Sequence, residues 1–133
     1  MIWKDKDYCI ANVGDSPVYL LQKGRLKHLS REHTLVNEKL ENNQPVNIRD
    51  LHILTRYMGK SKIAGSDMAF FSSGRIQEGD VFLICTDGVT NSLDTDSMPR
   101  YMKMDGDKAM RKIFKCCSRS EQMDNCTAII LKF

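Results

Sequence analysis

Residues 79–88 read Gly79-Asp80-Val81-Phe82-Leu83-Ile84-Cys85-Thr86-Asp87-Gly88, and this stretch decides the fold. The run from 81 to 85 is apolar without polar alternation, the pattern of a central strand covered on both faces. A tight turn at Gln77-Glu78-Gly79-Asp80 feeds it. At its far end Asp87 precedes a glycine, which lets the backbone turn sharply while the carboxylate points out of the end of the sheet.

Toward the amino end, residues 8–13 and 18–22 are β-rich runs joined by Gly14-Asp15-Ser16-Pro17, and Lys23-Gly24 turns the chain into 25–29. This pattern predicts a three-stranded meander. Thr34 is placed to cap a short helix to about Glu41, with Leu35, Val36 and Leu40 on one side. Residues 42–47 read as a polar, proline-containing loop. Within 48–66, Ile53-Leu54 and Tyr57-Met58 suit a strand or a helical turn equally well, 59–65 looks like an exposed loop, and the stretch as a whole is expected to be mobile. Residues 68–71 suggest a strand.

Toward the carboxyl end, residues 94–97 offer several caps for a short helix to Met102, with Pro99 tolerated in its first turn. Asp105-Gly106-Asp107 starts a longer helix. In it Ala109, Met110, Ile113, Phe114 and Cys117 repeat at three and four residues, opposite Lys108, Arg111, Lys112 and Lys115, so one face packs on a sheet and the basic face meets solvent. Residues 126–133 form a β-rich terminal strand. No internal repeat or low-complexity segment interrupts the chain.

A length of 133 residues fits one domain, and 41% hydrophobic with 28% charged residues is ordinary globular composition. Twenty Lys and Arg against 17 Asp and Glu leave +3, too little to indicate a nucleic-acid or membrane-surface partner. The longest apolar run is far short of the roughly 20 residues of a membrane span, and the amino terminus lacks a basic-then-apolar leader, which points to the cytoplasm. Five cysteines, an odd set without a Cys-x-x-Cys pair, imply reduced and mostly buried thiols.

Three acidic motifs stand where strands should end: Asn12-Val13-Gly14-Asp15-Ser16, Cys85-Thr86-Asp87-Gly88 and Met123-Asp124-Asn125. Each alone is ordinary turn composition. Together they suggest carboxylates converging on a cation, because gathered carboxylates repel one another unless protonated or neutralised. Hard oxygen ligands select Mg²⁺ or Mn²⁺, and such ions turn a bound water into a nucleophile. The histidines at 28, 33 and 52 are not at ligand spacing with any cysteine and read as structural or exposed. A thiol phosphatase needs an arginine six residues after its cysteine, and those positions after Cys85 and Cys117 hold Asn91 and Met123.

The order of motifs resembles the metal-dependent protein serine/threonine phosphatases of the protein phosphatase 2C (PPM) type. Ala11-Asn12-Val13-Gly14-Asp15-Ser16 with Val18-Tyr19-Leu20 and Leu29-Ser30-Arg31-Glu32-His33 is similar to the middle of that family. Ile53-Leu54-Thr55-Arg56-Tyr57-Met58-Gly59 resembles its Leu-Thr-Arg-Ala-Leu-Gly segment, residues 79–88 its metal-aspartate strand, and Thr90-Asn91-Ser92-Leu93 its bacterial branch. Met123-Asp124-Asn125-Cys126-Thr127 resembles the closing Asp-Asn-x-Thr motif.

The resemblance covers nearly the whole chain. It implies an α+β fold, an antiparallel β-sandwich flanked by helices, and hydrolysis of phosphoserine and phosphothreonine in phosphorylated protein substrates. Asp87 and Asp124 would bind one catalytic ion, Asp15 with Asp87 an additional one, and about 33–66 would be the flap beside the site. Nothing before Tyr8 resembles the family's phosphate-gripping arginine or its Asp-Gly-His-Gly motif, and Pro17 replaces a usual arginine. Residues 1–133 are therefore expected to be the carboxyl-terminal portion of such a catalytic domain, an incomplete sandwich. Exposed edges and apolar faces would then favour self-association. The alternative is a truncated, non-catalytic module acting in metal binding or protein interaction.

Overall fold

The structure, a computed structural model, describes residues 1–60, 68–120 and 124–133. Most of the loop expected at 59–65, and Met123 of the third acidic motif, lie outside these residues. The strands are β1 (Ile2–Lys4), β2 (Asp7–Asn12), β3 (Val18–Gln22), β4 (Arg25–His28), β5 (Phe70–Arg75), β6 (Val81–Cys85) and β7 (Ala128–Lys132). The helices are α1 (Leu35–Glu41), α2 (Asp87–Ser92), α3 (Met98–Met102) and α4 (Gly106–Cys117), with a 3₁₀ turn at Ile48–His52.

All strand pairs are antiparallel. One sheet has the order β1-β2-β5 and the other β4-β3-β6-β7. β6 is central as its composition requires, and both of its faces are filled. Phe82 turns into a cluster with Tyr8, Ile10, Val18, Leu20 and Ile76 that joins the two sheets. Val81, Leu83 and Cys85 turn the other way, against Val89 of α2, Met98 and Met102 of α3 and Ile113 of α4. Phe82 and Leu83 are both wholly buried. The molecule is thus α+β, two antiparallel sheets face to face with helices outside the second, and among the described residues neither sheet closes on itself.

The expected meander does not form. β3 and β4 do pair, through a turn in which Lys23 (φ 50°) and Gly24 (φ 79°) are both left-handed, but β2 belongs to the other sheet. Residues 13–17 carry the chain across from one sheet to the other. The physical reason is competition for β3: the doubly apolar β6 has to lie inside a sheet, so it takes the β3 edge that a meander would give to β2. β2 pairs instead with β5 over six positions, where alternating burial conceals a strand behind Ser72, Ser73, Gly74 and Arg75. A side chain at Gly74 would stand 2.6 Å from the Tyr8 hydroxyl, so the glycine leaves room for that ring.

An aromatic row ties the layers together. Tyr8 meets Phe82 edge-on at 5.1 Å, Phe82 meets Phe133 at 5.7 Å, and Phe133 meets Trp3 at 5.6 Å. Thr34 caps α1 as expected, its Oγ1 accepting from Asn37 N at 3.4 Å, but Leu40 is left exposed rather than packed. After α1, Asn47 and Asp50 close a capping box on the 3₁₀ turn, and buried Asp50 pairs with Lys39 at 2.7 Å. The four basic residues of α4 face solvent and Ala109 and Ile113 are buried, while Phe114 of the anticipated apolar face is exposed. Among the described residues no helix is long and apolar enough to cross a membrane.

Candidate metal centre

Asp87 is the first residue of α2 rather than part of a bare turn, with Thr86 in extended conformation as its cap. Its Oδ1 accepts from Gly88 N at 2.9 Å. The β6–β7 ladder runs past the strand ends: Thr86 N donates to Thr127 O at 3.0 Å, and Thr86 Oγ1 donates to Asn125 O at 2.9 Å while accepting from Thr127 N at 3.1 Å. These bonds lay residues 124–127 over the start of α2. Gly88 makes the approach possible, since a Cβ there would stand 2.6 Å from Asn125 O and 3.3 Å from Asp124 Cβ.

Asp15 arrives from the other sheet. Gly14 is left-handed at φ 99°, and buried His33 holds it from both sides: Gly14 N donates to His33 Nδ1 at 3.2 Å and His33 N donates to Gly14 O at 2.9 Å. Asn12 Nδ2 donates to Ser16 O at 3.0 Å and closes the loop on its other flank. Because Nδ1 accepts, the His33 proton is on Nε2, which is buried without a partner among the described residues. Burial, with Arg56 and Arg31 nearby, holds this imidazole below the usual histidine range, so it is neutral.

Asp15 and Asp87 line one cleft of about 360 Å³ together with Glu32, Tyr19, Thr90 and His52. Burial, then the Asp87 charge, pushes the Asp15 carboxyl above the usual carboxylate range; Asp124 adds to this, while a backbone hydrogen bond and His52 oppose it. Glu32 is pushed up first by burial and further by Asp15 and Asp87, against the pull of His28, 3.9 Å away. The site is thus an anionic hollow in which the Asp15 and Glu32 carboxyls are both pushed up.

Of the three aspartates singled out in the sequence, two share the cleft wall and the third stands beside it. Asp124 is exposed, lies against Gly88, and turns Oδ1 onto its own Asn125 N at 2.6 Å. Among the described residues no three His, Cys, Asp or Glu side chains gather closely enough to hold a metal ion. The chemistry of the donors nonetheless fits a hard cation: all are carboxylates, and their mutual fields are what a divalent ion would relieve. Glu32 was not singled out from the sequence as a site residue. Its signal was an acid directly before His33, the residue that holds the Asp15 loop.

No family model matches the chain. It is 34% identical over 99 residues, 71% of its length, to a protein named serine/threonine phosphatase stp from Listeria welshimeri, of which it covers 38%. Its fold matches Stp1, a serine/threonine phosphatase from Staphylococcus aureus, with a TM-score of 0.84 and 22% identity, covering 98% of this chain and 53% of that one. It also matches the catalytic domain of the phosphatase PstP, solved with two manganese ions, with a TM-score of 0.80 and 17% identity, covering 97% and 54%. The chain therefore spans little more than a third of the curated relative and about half of each solved chain.

Proposed function

We propose a phosphoester hydrolase function from the premise that this chain belongs to the metal-dependent protein serine/threonine phosphatases of the protein phosphatase 2C type, as the carboxyl-terminal portion of such a catalytic domain; its similarity to phosphatases of which it spans a third to a half supports this reading. The activity is hydrolysis of phosphoserine and phosphothreonine in phosphorylated proteins. Asp15 and Asp87 from the cleft wall and Asp124 from beside it would contribute carboxylates to Mg²⁺ or Mn²⁺, with Asp87 and Asp124 closest to the chemistry. When bound, such an ion lowers the pKa of a water and stabilises charge on phosphoryl oxygens.

The observation that carries this reading is the cleft that Asp15, Asp87 and Glu32 line together, a concentration of carboxylates that a divalent cation would neutralise. The residues of this chain do the positioning. His33 fixes the Gly14-Asp15 turn, Thr86 fixes the Asp124-Asn125 segment, and Glu32 adds negative charge to the same hollow. Residues 33–66 act as a flap whose Leu51 and His52 border the cleft; 61–66 lie outside the described residues. The relatives are named as phosphatases, which favours the catalytic reading over a non-catalytic module.

We place the protein in the cytoplasm, a reading consistent with the short apolar runs of its described helices, and its small net charge of +3 speaks against a nucleic-acid or membrane-surface partner. Ile2, Trp3 and Phe71 of the first sheet are more than half exposed and support self-association through that sheet.

Titrating Mn²⁺ while following thermal unfolding tests the site. The midpoint is expected to rise with Mn²⁺ in the wild type, by an amount corresponding to about 2.7 kcal/mol at a hundredfold excess over Kd, and not in Asp87→Asn. An unmoved wild-type midpoint refutes the metal site. Manganese-dependent cleavage of a small aryl phosphate, with and without an added amino-terminal fragment, then tests catalysis, and silence in both arms refutes it.

A further inference from the structure

Helix α4 concentrates its charge on one side. Lys108, Arg111, Lys112 and Lys115 are all exposed, and with half-buried Met104 just ahead of the helix they line a groove of about 370 Å³. Spacings of three and four residues set Lys108 beside Arg111 and Lys112, and Lys115 beside the same two. Every one of these neighbouring pairs is like-charged, which opposes the helix that carries it. Among the described residues none of the four cations is in an ion pair, whereas Arg31, Lys39 and Arg75 each face a carboxylate. The nearest acids in sequence, Asp105 and Asp107, stand at the amino end of the helix and pair with none of them. A fifth cation closes the Met104 end, because Lys132 of β7 donates its ammonium to Met104 O. The whole chain has an excess of only +3, so its positive charge is gathered locally on this face.

We propose that this groove docks an acidic, extended segment of a partner protein, with its carboxylates on the cations and an aliphatic side chain on Met104. Charge complementarity and spacing carry the choice of partner. Along the helix, Lys108 to Lys112 and Arg111 to Lys115 are each a rise of about 6 Å. In an extended chain, alternate side chains point the same way and lie about 7 Å apart. Carboxylates at alternate positions therefore meet successive cations of either row, and Arg111 offers the planar fork that binds a carboxylate through two hydrogen bonds. The aliphatic stems of the lysines, together with Met104, give the groove an apolar floor beneath its charged rim.

Two other anionic surfaces fit less well. Ala109 and Ile113 of α4 are wholly buried in the molecule, so the apolar face that a membrane-surface helix would insert is already used. No aromatic side chain lines the groove among the described residues, so a single-stranded nucleic acid would find no ring on which to stack its bases. The groove shares no residue with the cleft of Asp15 and Asp87, and the proposal stands apart from the phosphatase reading.

The test is fluorescence anisotropy of a dye-labelled peptide, Leu-Ser-Glu-Ser-Glu-Ser-Glu-Ser-Leu, titrated with the whole chain without metal. Binding should weaken at least about tenfold between about 50 mM and about 300 mM salt. It should also weaken when the leucines are replaced by serine, and vanish when the glutamates are replaced by glutamine. In Arg111→Glu/Lys112→Glu every neighbouring pair on the face becomes opposite in sign, so this variant should unfold at or above the wild-type midpoint while losing the peptide at least about tenfold. Arg111→Gln/Lys112→Gln, which adds no negative charge, should weaken binding by a smaller factor. Arg25→Glu/Lys27→Glu makes the same change in net charge on β4 and should bind as the wild type does.

No binding by the wild type overturns the proposal, as does undiminished binding by both α4 variants or an equal loss in the β4 variant. Equal binding of the serine-substituted peptide removes Met104 from it. Tighter binding to phosphatidylserine vesicles or to single-stranded RNA, or a dimer in light scattering that Arg111→Glu/Lys112→Glu dissolves, gives the face to another occupant and overturns it as well. Failure of Mn²⁺ to bind would refute the metal site and leave all of these readouts intact.

Discussion

Replacing Gly88 by alanine gives a result whose sign separates two accounts of this residue. Gly88 is the second residue of α2, and its φ is outside the left-handed region, so alanine meets no backbone penalty there. Helix propensity alone predicts stabilisation by up to about 1 kcal/mol. The surroundings predict the reverse, because the new methyl would stand 2.6 Å from Asn125 O where ordinary contact begins at 3.4 Å, so the backbone carbonyl must retreat by about 0.8 Å. That movement strains the Thr86 Oγ1–Asn125 O bond, worth about 1 kcal/mol, and adds an overpacking cost of about 1–3 kcal/mol. Net destabilisation should be about 1–3 kcal/mol. For a chain of this length each kcal/mol moves the midpoint by about 4 °C, so Tm should fall by roughly 4–12 °C. Thermal unfolding by circular dichroism reads it, and the Mn²⁺-induced rise should shrink in parallel because Asp124 moves with Asn125. A Tm equal to or above wild type would show that residues 124–125 do not press on α2, and that Asp124 is not positioned by that contact.

Asp15→Asn should raise the metal-free midpoint at neutral pH. Its folded pKa lies above the unfolded value near 4, so the wild type loses stability as pH rises through that window and the variant does not; parallel pH profiles would refute this. His33 behaves oppositely. Its folded pKa lies below 6.5, so the stability it contributes is complete above about pH 6.5 and is lost as pH falls toward the folded value. His33→Leu should abolish that slope and cost about 1–3 kcal/mol by stranding Gly14 N–H, whereas His33→Asn restores an acceptor and recovers most of the loss; urea titrations at pH 5.5 and 7.5 decide. Phe82→Ala should cost about 3–5 kcal/mol in urea unfolding, because the ring is wholly buried where the two sheets meet.

Elements whose pattern is set by burial on a full face were legible in advance. β6 announced itself by five apolar residues in succession, and most of the α4 face by its three-and-four spacing. Elements held by their neighbours were not. α2 is built from Asp87, Gly88, Val89, Thr90, Asn91 and Ser92, a poor helical sequence that forms because Val89 is driven into the core beside α4. β1 is three exposed residues, visible only through its pairing with β2. The missed exchange of partners at β3 has a similar origin: a turn motif says that the chain reverses, but only the demand of β6 for an interior place says which strand it meets. At the site, the turns carrying Asp15 and Asp87 were readable, while Glu32 becomes significant only when the cleft sets it beside them.

The aromatic row from Tyr8 to Trp3 also provides a built-in optical probe. The molecule has a single tryptophan, and its indole rests edge-on against Phe133, which directly follows β7, the edge strand of the other sheet. Its emission therefore reports whether the amino-terminal hairpin stays docked on the carboxyl-terminal end, separately from the ellipticity of the helices. A fluorescence change that runs ahead of the helical signal on warming would identify the seam between the two layers as the first part to open.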